Sequence, residues 1–320
     1  MIKIRPLYCR EYSGFFILGG RKIRVMKRDK LVAHMLMILL VFAWGFDYIP
    51  VKYALKTLTP MCFLFGKYIM GFIIAVLLKV VQKNRKLIRK KDIPFFIICS
   101  IFGEIAYFNC EYTAIGYISV SATTIILALV PAVSMIIERI LFKKKTGKKA
   151  VAGIVLCIFG VSLVIGADYA EFFNGGSTGY ILAFAAVLCW NVYNYVTSAL
   201  EQYDSVTLAC TQMLCTLILL SPAAIHSMPL ISEIPVRVYL CIIYTGVLDA
   251  GIGFIIVIYG LKKLGPTISA IYSNFLPVTS TFFGWIFLSE NISLFQIAGG
   301  IIVISAGYVV IREKQINYDN

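Results

Sequence analysis

Four ionisable residues lie in stretches that are otherwise apolar: Asp47 in VFAWGFDYIPVKYA, Lys67 in FGKYIM, Glu104 in IFGEIAY and Asp249 in TGVLDAGIG. In hydrocarbon a charged side chain costs about 3 kcal/mol or more, so each needs a partner, a wet cavity or a function. Two chemistries are open. Asp47 and Lys67 carry opposite charges, and an ion pair satisfies both, either as a structural tie or as a clamp that a substrate opens. Glu104 and Asp249 are carboxyls whose neutral form burial favours. A buried acid of that kind can carry a proton, or can simply be a neutral group packed against Tyr or Ser.

The composition explains why these residues stand out. The chain has 320 residues, 60% hydrophobic and 14% charged, whereas a soluble domain is roughly half apolar and about a quarter charged. A polytopic helical membrane protein is the class that fits. The net charge of +14 does not indicate nucleic acid, because the basic residues cluster in short segments between apolar runs, where they set topology. Nine cysteines form no CxxC and mostly lie within apolar runs, so they predict neither a disulfide framework nor a zinc site. His34 and His226 belong to no HExxH, and GxSxG, P-loop and dinucleotide motifs are missing. No cofactor is expected, and an enzyme is the least favoured class.

About 20 apolar residues cross a ~30 Å hydrocarbon core. Ten runs meet that length: 32–51, 60–81, 93–113, 119–141, 150–167, 178–199, 206–227, 236–259, 267–288 and 294–311. A bilayer span must satisfy its own backbone, and no alternating barrel pattern is present, so the runs are helices. With the N-terminus inside, every Lys and Arg except Lys52, Lys56, Lys67 and Arg237 falls on the cytoplasmic side. Both termini are therefore expected in the cytoplasm. The loop EQYDS (201–205) carries the weakest signal.

Residues 1–30 hold nine Lys or Arg and form a basic leader without a signal-peptide pattern. Met26-Lys27-Arg28-Asp29-Lys30 resembles an ordinary approach to a first span, which makes Met26 an alternative start.

The two halves repeat at an offset of 146. Trp44 falls on Trp190, Pro131 on Pro277, Ser134 on Ser280, and Ala152-Gly153 on Ala298-Gly299. Five spans per half is an odd number, so the second copy must sit inverted, the plan of many secondary transporters with a site near the midplane. The boundaries are a leader 1–30, a first repeat 31–167, an external linker 168–177, a second repeat 178–311 and a tail 312–320.

Depth follows from the ~1.5 Å rise per helical residue. Asp47, near the outer end of span one, is level with Lys67, seven residues into span two. Glu104 and Asp249 are both near the midplane of spans three and eight. Trp44, Asp47, Tyr48 and Val51 share one helical face. Tyr107 and Asn109 follow Glu104; Trp190, Asn191 and Asn194 crowd span six; Tyr272 and Asn274 open span nine. Aromatic and amide groups in hydrocarbon seek partners, and their clustering points to a wet, substrate-sized pocket. Glu111, toward the outer end of span three, is expected at the interface, and Glu138 at the inner surface.

Trp44-Gly45 followed by Lys52, Pro131 and Pro277, then Leu288-Ser289-Glu290, Gln296 and Gly299 resemble the motifs of the EamA family of the drug/metabolite transporter superfamily. The likeness covers about residues 31–312. It implies ten helices in two inverted five-helix repeats and carriage of small metabolites. Four positions depart from the family pattern, one being the second-half equivalent of Lys52, where no Lys follows. Lys144 stands where an acid matching Glu290 is expected, Asn191 replaces the Gly after Trp190, and Asp47 occupies a usually uncharged site.

The expected protein is all-α and multi-pass in the cell (inner) membrane. It is a secondary or facilitative transporter of small organic metabolites, such as amino acids, by alternating access. Its expected partners are a small-molecule substrate, protons, the lipid bilayer and, in assembly, a homodimeric second copy, but not nucleic acid. The alternative is a non-transporting or lipid-handling membrane subunit of the same fold.

Overall fold

The computed structural model describes residues 15–18, 21–24, 28–81, 87–141, 143, 147–167, 176–264 and 266–319. Met26, Lys144 and most of the 168–177 linker lie outside them. A short antiparallel pair, β1 (Phe15–Leu18) and β2 (Arg21–Arg24), precedes the helices. This departs from the all-α expectation within the leader alone.

Nine helices are long and apolar enough to span a bilayer among the described residues. They include α1 (Arg28–Ala54), α2 (Pro60–Val81) and α3 (Lys90–Ala114). The fourth is jointed, as α4 (Val120–Leu127) and α5 (Val130–Leu141). Next come α6 (Lys148–Ala167), α7 (Ser177–Ser198), α8 (Ser205–Ser227) and α9 (Val236–Leu264). The tenth apolar run, 267–288, is not continuous. It folds as α10 (Pro266–Ser273) and α11 (Leu276–Leu288), separated at Asn274-Phe275. Pro277 explains the interruption: it has no N–H to donate to the carbonyl four residues earlier, that of Ser273 at the end of α10. Finally α12 (Leu294–Asp319) carries the helix well past Arg312.

The two joints, Ala128-Leu129 and Asn274-Phe275, sit at the 146-residue offset read from the sequence. So do two segments wound as π-helix, Ser100–Ala106 in α3 and Thr245–Gly253 in α9. The N–H of Tyr107 reaches the Phe102 carbonyl, and that of Phe254 the Asp249 carbonyl. Such wide turns are rare and are frequent at functional sites. Packing repeats in the same way: α1 lies along α11 as α7 lies along α4 and α5, and α2 meets α9 and α8 as α8 meets α3 and α2. The α6–α12 pair is the most extensive.

Candidate functional site

Burial gathers charge where α1, α2, α3 and α9 meet. Lys67 is 0% exposed, Asp249 4%, Asp47 6%, Glu111 2% and Glu104 0%. Close approach of α2 to the wide turn of α9 makes the first contact. A methyl group on Gly246 would come within 2.6 Å of the Lys67 carbonyl oxygen, so only glycine lets the two backbones lie this near. Lys67 then pairs with Asp249, donates to the Tyr112 hydroxyl at 2.6 Å and stands 4.0 Å from the Phe108 ring centroid. Carboxylate, phenol and aromatic face together make a full shell for an ammonium.

Lys67 therefore takes its charge partner from α9 in the second half, and not Asp47 as expected. Level depth on adjacent helices did not decide the pairing; the azimuth imposed by Gly246 did. Asp47 is the neighbouring carboxyl, electrostatically close to Asp249, Lys67 and Glu111. Its Oδ1 has no hydrogen-bond partner. Trp44, one turn earlier on the same face, presents an indole N–H without a partner against Gly253.

Tyr48 donates to Glu111, which is deeply buried and not at the interface as expected. Glu138 is 4% exposed and accepts from Tyr195 at 3.3 Å. Glu104 accepts from Thr216 at 2.5 Å while its Oε1 has no partner. The Tyr107 and Trp190 rings pack tilted with centroids 4.7 Å apart, and the Tyr193 ring lies 4.9 Å from that of Trp190.

Several sequence candidates belong elsewhere. Asn194 is exposed, because one residue past buried Tyr193 the helix turns by about 100°. Tyr272 pairs with His34 at 2.6 Å, near the start of α1. Asn274 donates to the Ile304 carbonyl at 3.3 Å. Asn191 donates to the carbonyls of Val187 at 2.9 Å and Val130 at 3.4 Å, the second beside the α4–α5 joint. Asn109 is half-buried beside the cluster.

Toward the Lys52 end of α1, Glu290 receives Lys52 at 3.3 Å and the backbone N–H groups of Val120 and Ser121 at 2.8 and 3.3 Å. It also accepts from Ser121 Oγ at 2.9 Å. The carboxylate thus caps α4, where orphan N–H groups and the helix dipole favour an anion. At the other end, Asp92 accepts from Arg89 at 2.7 Å, Tyr203 at 2.6 Å and Gln202 at 3.2 Å. Gly45 permits a third junction: Thr279 lies against its Cα and donates to the Val41 carbonyl at 3.0 Å. The eight described cysteines are free thiols.

Long apolar helices enclosing a charged, hydrogen-bonded interior define a multi-pass membrane protein. The EamA-like transporter family matches the chain twice, over residues 31–166 and 177–312. The chain belongs to that family. It is 23% identical to an uncharacterized transporter of Archaeoglobus fulgidus, covering 86% of this chain and 97% of the relative. It is 21% identical to the uncharacterized transporter YoaV of Bacillus subtilis, covering 81% and 90%. A probable terminal-alkyne amino-acid exporter of Streptantibioticus cattleyicolor is 22% identical, covering 71% and 76%. A solved crystal structure with 15% identity superposes with a TM-score of 0.63, over 87% of this chain and 98% of the other; the likeness is one of fold.

Proposed function

We propose that this protein is a secondary transporter, ion-coupled or facilitative, of small organic metabolites such as amino acids. It works by alternating access in the cell's inner membrane, with both termini cytoplasmic. Two five-helix halves, 31–167 and 178–311, are related by inversion across the 168–177 linker. The paired joints, paired wide turns and repeated packing support that reading, since a duplicated half repeats its irregularities.

The observation that carries the proposal is the buried Lys67–Asp249 pair beside Asp47. It joins α1 and α2 of one half to α9 of the other, so relative motion of the halves remakes its contacts. A structural ion pair is commonly no more stable than apolar packing of the same volume, which favours a working role. The amino-acid exporter among the relatives supports an amine-bearing metabolite. Glu104, with one oxygen unpartnered, and Asp249 are the candidate proton carriers.

Purified protein in proteoliposomes, screened for flux of amino acids, purines and sugar phosphates, tests the reading. Flux of at least one class is expected, and no flux of any class overturns transport. If Glu104→Gln and Asp249→Asn leave pH-driven flux unchanged, the proton role is lost.

A further inference from the structure

Three connections converge beside Lys52: the turn from α1 into α2, the turn from α3 into α4, and the chain just past α11. Together they enclose a cavity of about 420 Å³, a volume ordinary for a small-molecule site. Its walls divide by chemistry. Leu55, Ile115, Tyr117 and Ile118 supply apolar surface, while Lys52, Lys56 and Glu290 supply the charges. Two ammonium groups thus line it against one carboxylate, and the cavity carries a surplus positive charge.

That carboxylate is largely spent elsewhere. Glu290 accepts from the Val120 N–H at 2.8 Å and from the Ser121 hydroxyl at 2.9 Å, both nearer than Lys52 at 3.3 Å. Lys52 has three ammonium donors and gives one of them to Glu290. Lys56 is exposed and makes no ion pair among the described residues. Neither Lys67, Asp249 nor Asp47 lines this cavity, so it is a separate place from the buried cluster.

We infer that the cavity binds a small organic anion, its carboxylate held by Lys56 and Lys52 and its apolar body laid against Leu55, Ile115 and Ile118. The inference goes beyond the transporter reading and does not rest on it. Exposed ammonium groups alone hold an anion weakly, because water and salt screen them. The apolar walls add the burial of the ligand's body, which selects an organic acid over a bare inorganic ion. A cationic ligand meets two like charges, and a neutral one forgoes the pairing. The ligand and Glu290 compete for the Lys52 ammonium, while the α4 N–H groups keep Glu290 in place when Lys52 turns to the ligand.

Thermal unfolding of the purified protein in neutral detergent, at constant ionic strength near neutral pH, tests this with 3-phenylpropionate, 3-phenylpropionamide, 3-phenylpropylamine and acetate. An upward shift is expected with 3-phenylpropionate and not with the amide or the amine, and acetate should need at least tenfold higher concentration. Lys56→Gln is expected to weaken binding of the acid at least tenfold. Glu290→Gln keeps an acceptor for α4 and releases Lys52, so it is expected to bind the acid at least threefold more tightly, judged against its own unfolding midpoint. Should Glu290→Gln not fold, Lys52→Met, expected to weaken acid binding, carries the same test. An equal shift with the amide, the amine or acetate overturns the inference, as does no shift with 3-phenylpropionate. Acid binding that survives Lys56→Gln, or that Glu290→Gln weakens, overturns it too. So does phosphatidylglycerol in the micelle abolishing the response to the acid, since the site then belongs to a lipid headgroup. An acid shift that follows these substitutions in a protein without flux leaves the site standing and removes transport alone; flux without an acid shift does the reverse.

Discussion

Lys52 and Glu290, separated by 238 residues in the chain, meet at 3.3 Å, and the meeting completes neither of their own helices. Glu290 lies just beyond the end of α11, yet its carboxylate serves the first turn of α4. The two partners are unequally placed: the side chain of Lys52 is 34% exposed and that of Glu290 7%.

That asymmetry separates two substitutions. Removing Lys52 loses an exposed ion pair worth roughly 0.2–1 kcal/mol. Removing Glu290 loses a helix cap worth about 1–2 kcal/mol in addition. Unfolding in detergent is expected to place Glu290→Ala clearly below Lys52→Met, with Glu290→Gln between them. Equal losses would mean that the ion pair, and not the cap, is what matters.

The Lys67–Asp249 pair has no such exposure. Breaking it from one side leaves a buried charge uncompensated, at about 3–5 kcal/mol. Lys67→Met and Asp249→Asn are each expected to lower the unfolding midpoint sharply. The double variant should be more stable than the sum of the two losses predicts. Simple additivity in a double-mutant cycle would refute the contact.

Gly246 gives a prediction about backbone distance. Alanine there forces α2 away from the wide turn of α9, an overpacking cost of about 1–3 kcal/mol. The same displacement draws Lys67 from Asp249, so Gly246→Ala should lose less on a Lys67→Met background than alone. Identical losses on both backgrounds would disconnect the glycine from the ion pair.

Topology is open to labelling with a membrane-impermeant maleimide in a cysteine-free background. Lys56→Cys, at the exposed turn between α1 and α2, is expected to react in intact cells. Glu201→Cys, at the exposed turn between α7 and α8, is expected to react only after permeabilisation. The second position probes EQYDS, where the positive-inside signal is faintest. Its neighbour Tyr203 is bonded to Asp92 and, through its carbonyl, to Lys262, which puts that turn at the same end as two basic segments.

Most of the helical layout was legible because hydropathy measures what a bilayer selects. The π-wound segments were not, since one extra residue in a turn leaves the apolar pattern almost unchanged. Their effect is large nonetheless, because they reset which residues of α3 and α9 face inward. Depth put Asp47 level with Lys67, and the two are electrostatic neighbours, but the azimuth that chose Asp249 depended on a helix contact that no local pattern records. Glu111 was misjudged for a related reason: its distance from the end of a span says nothing about the direction it faces. The Lys52–Glu290 junction joined two motif positions whose meeting only the fold reveals.

The joints at Ala128-Leu129 and Asn274-Phe275 carry a mechanical consequence. Each divides an apolar helical run near its middle, and each is held there by an amide: Asn191 reaches the Val130 carbonyl, and Asn274 the Ile304 carbonyl. A run broken at a point that a neighbouring helix holds fixed can change the angle between its two segments without moving their junction.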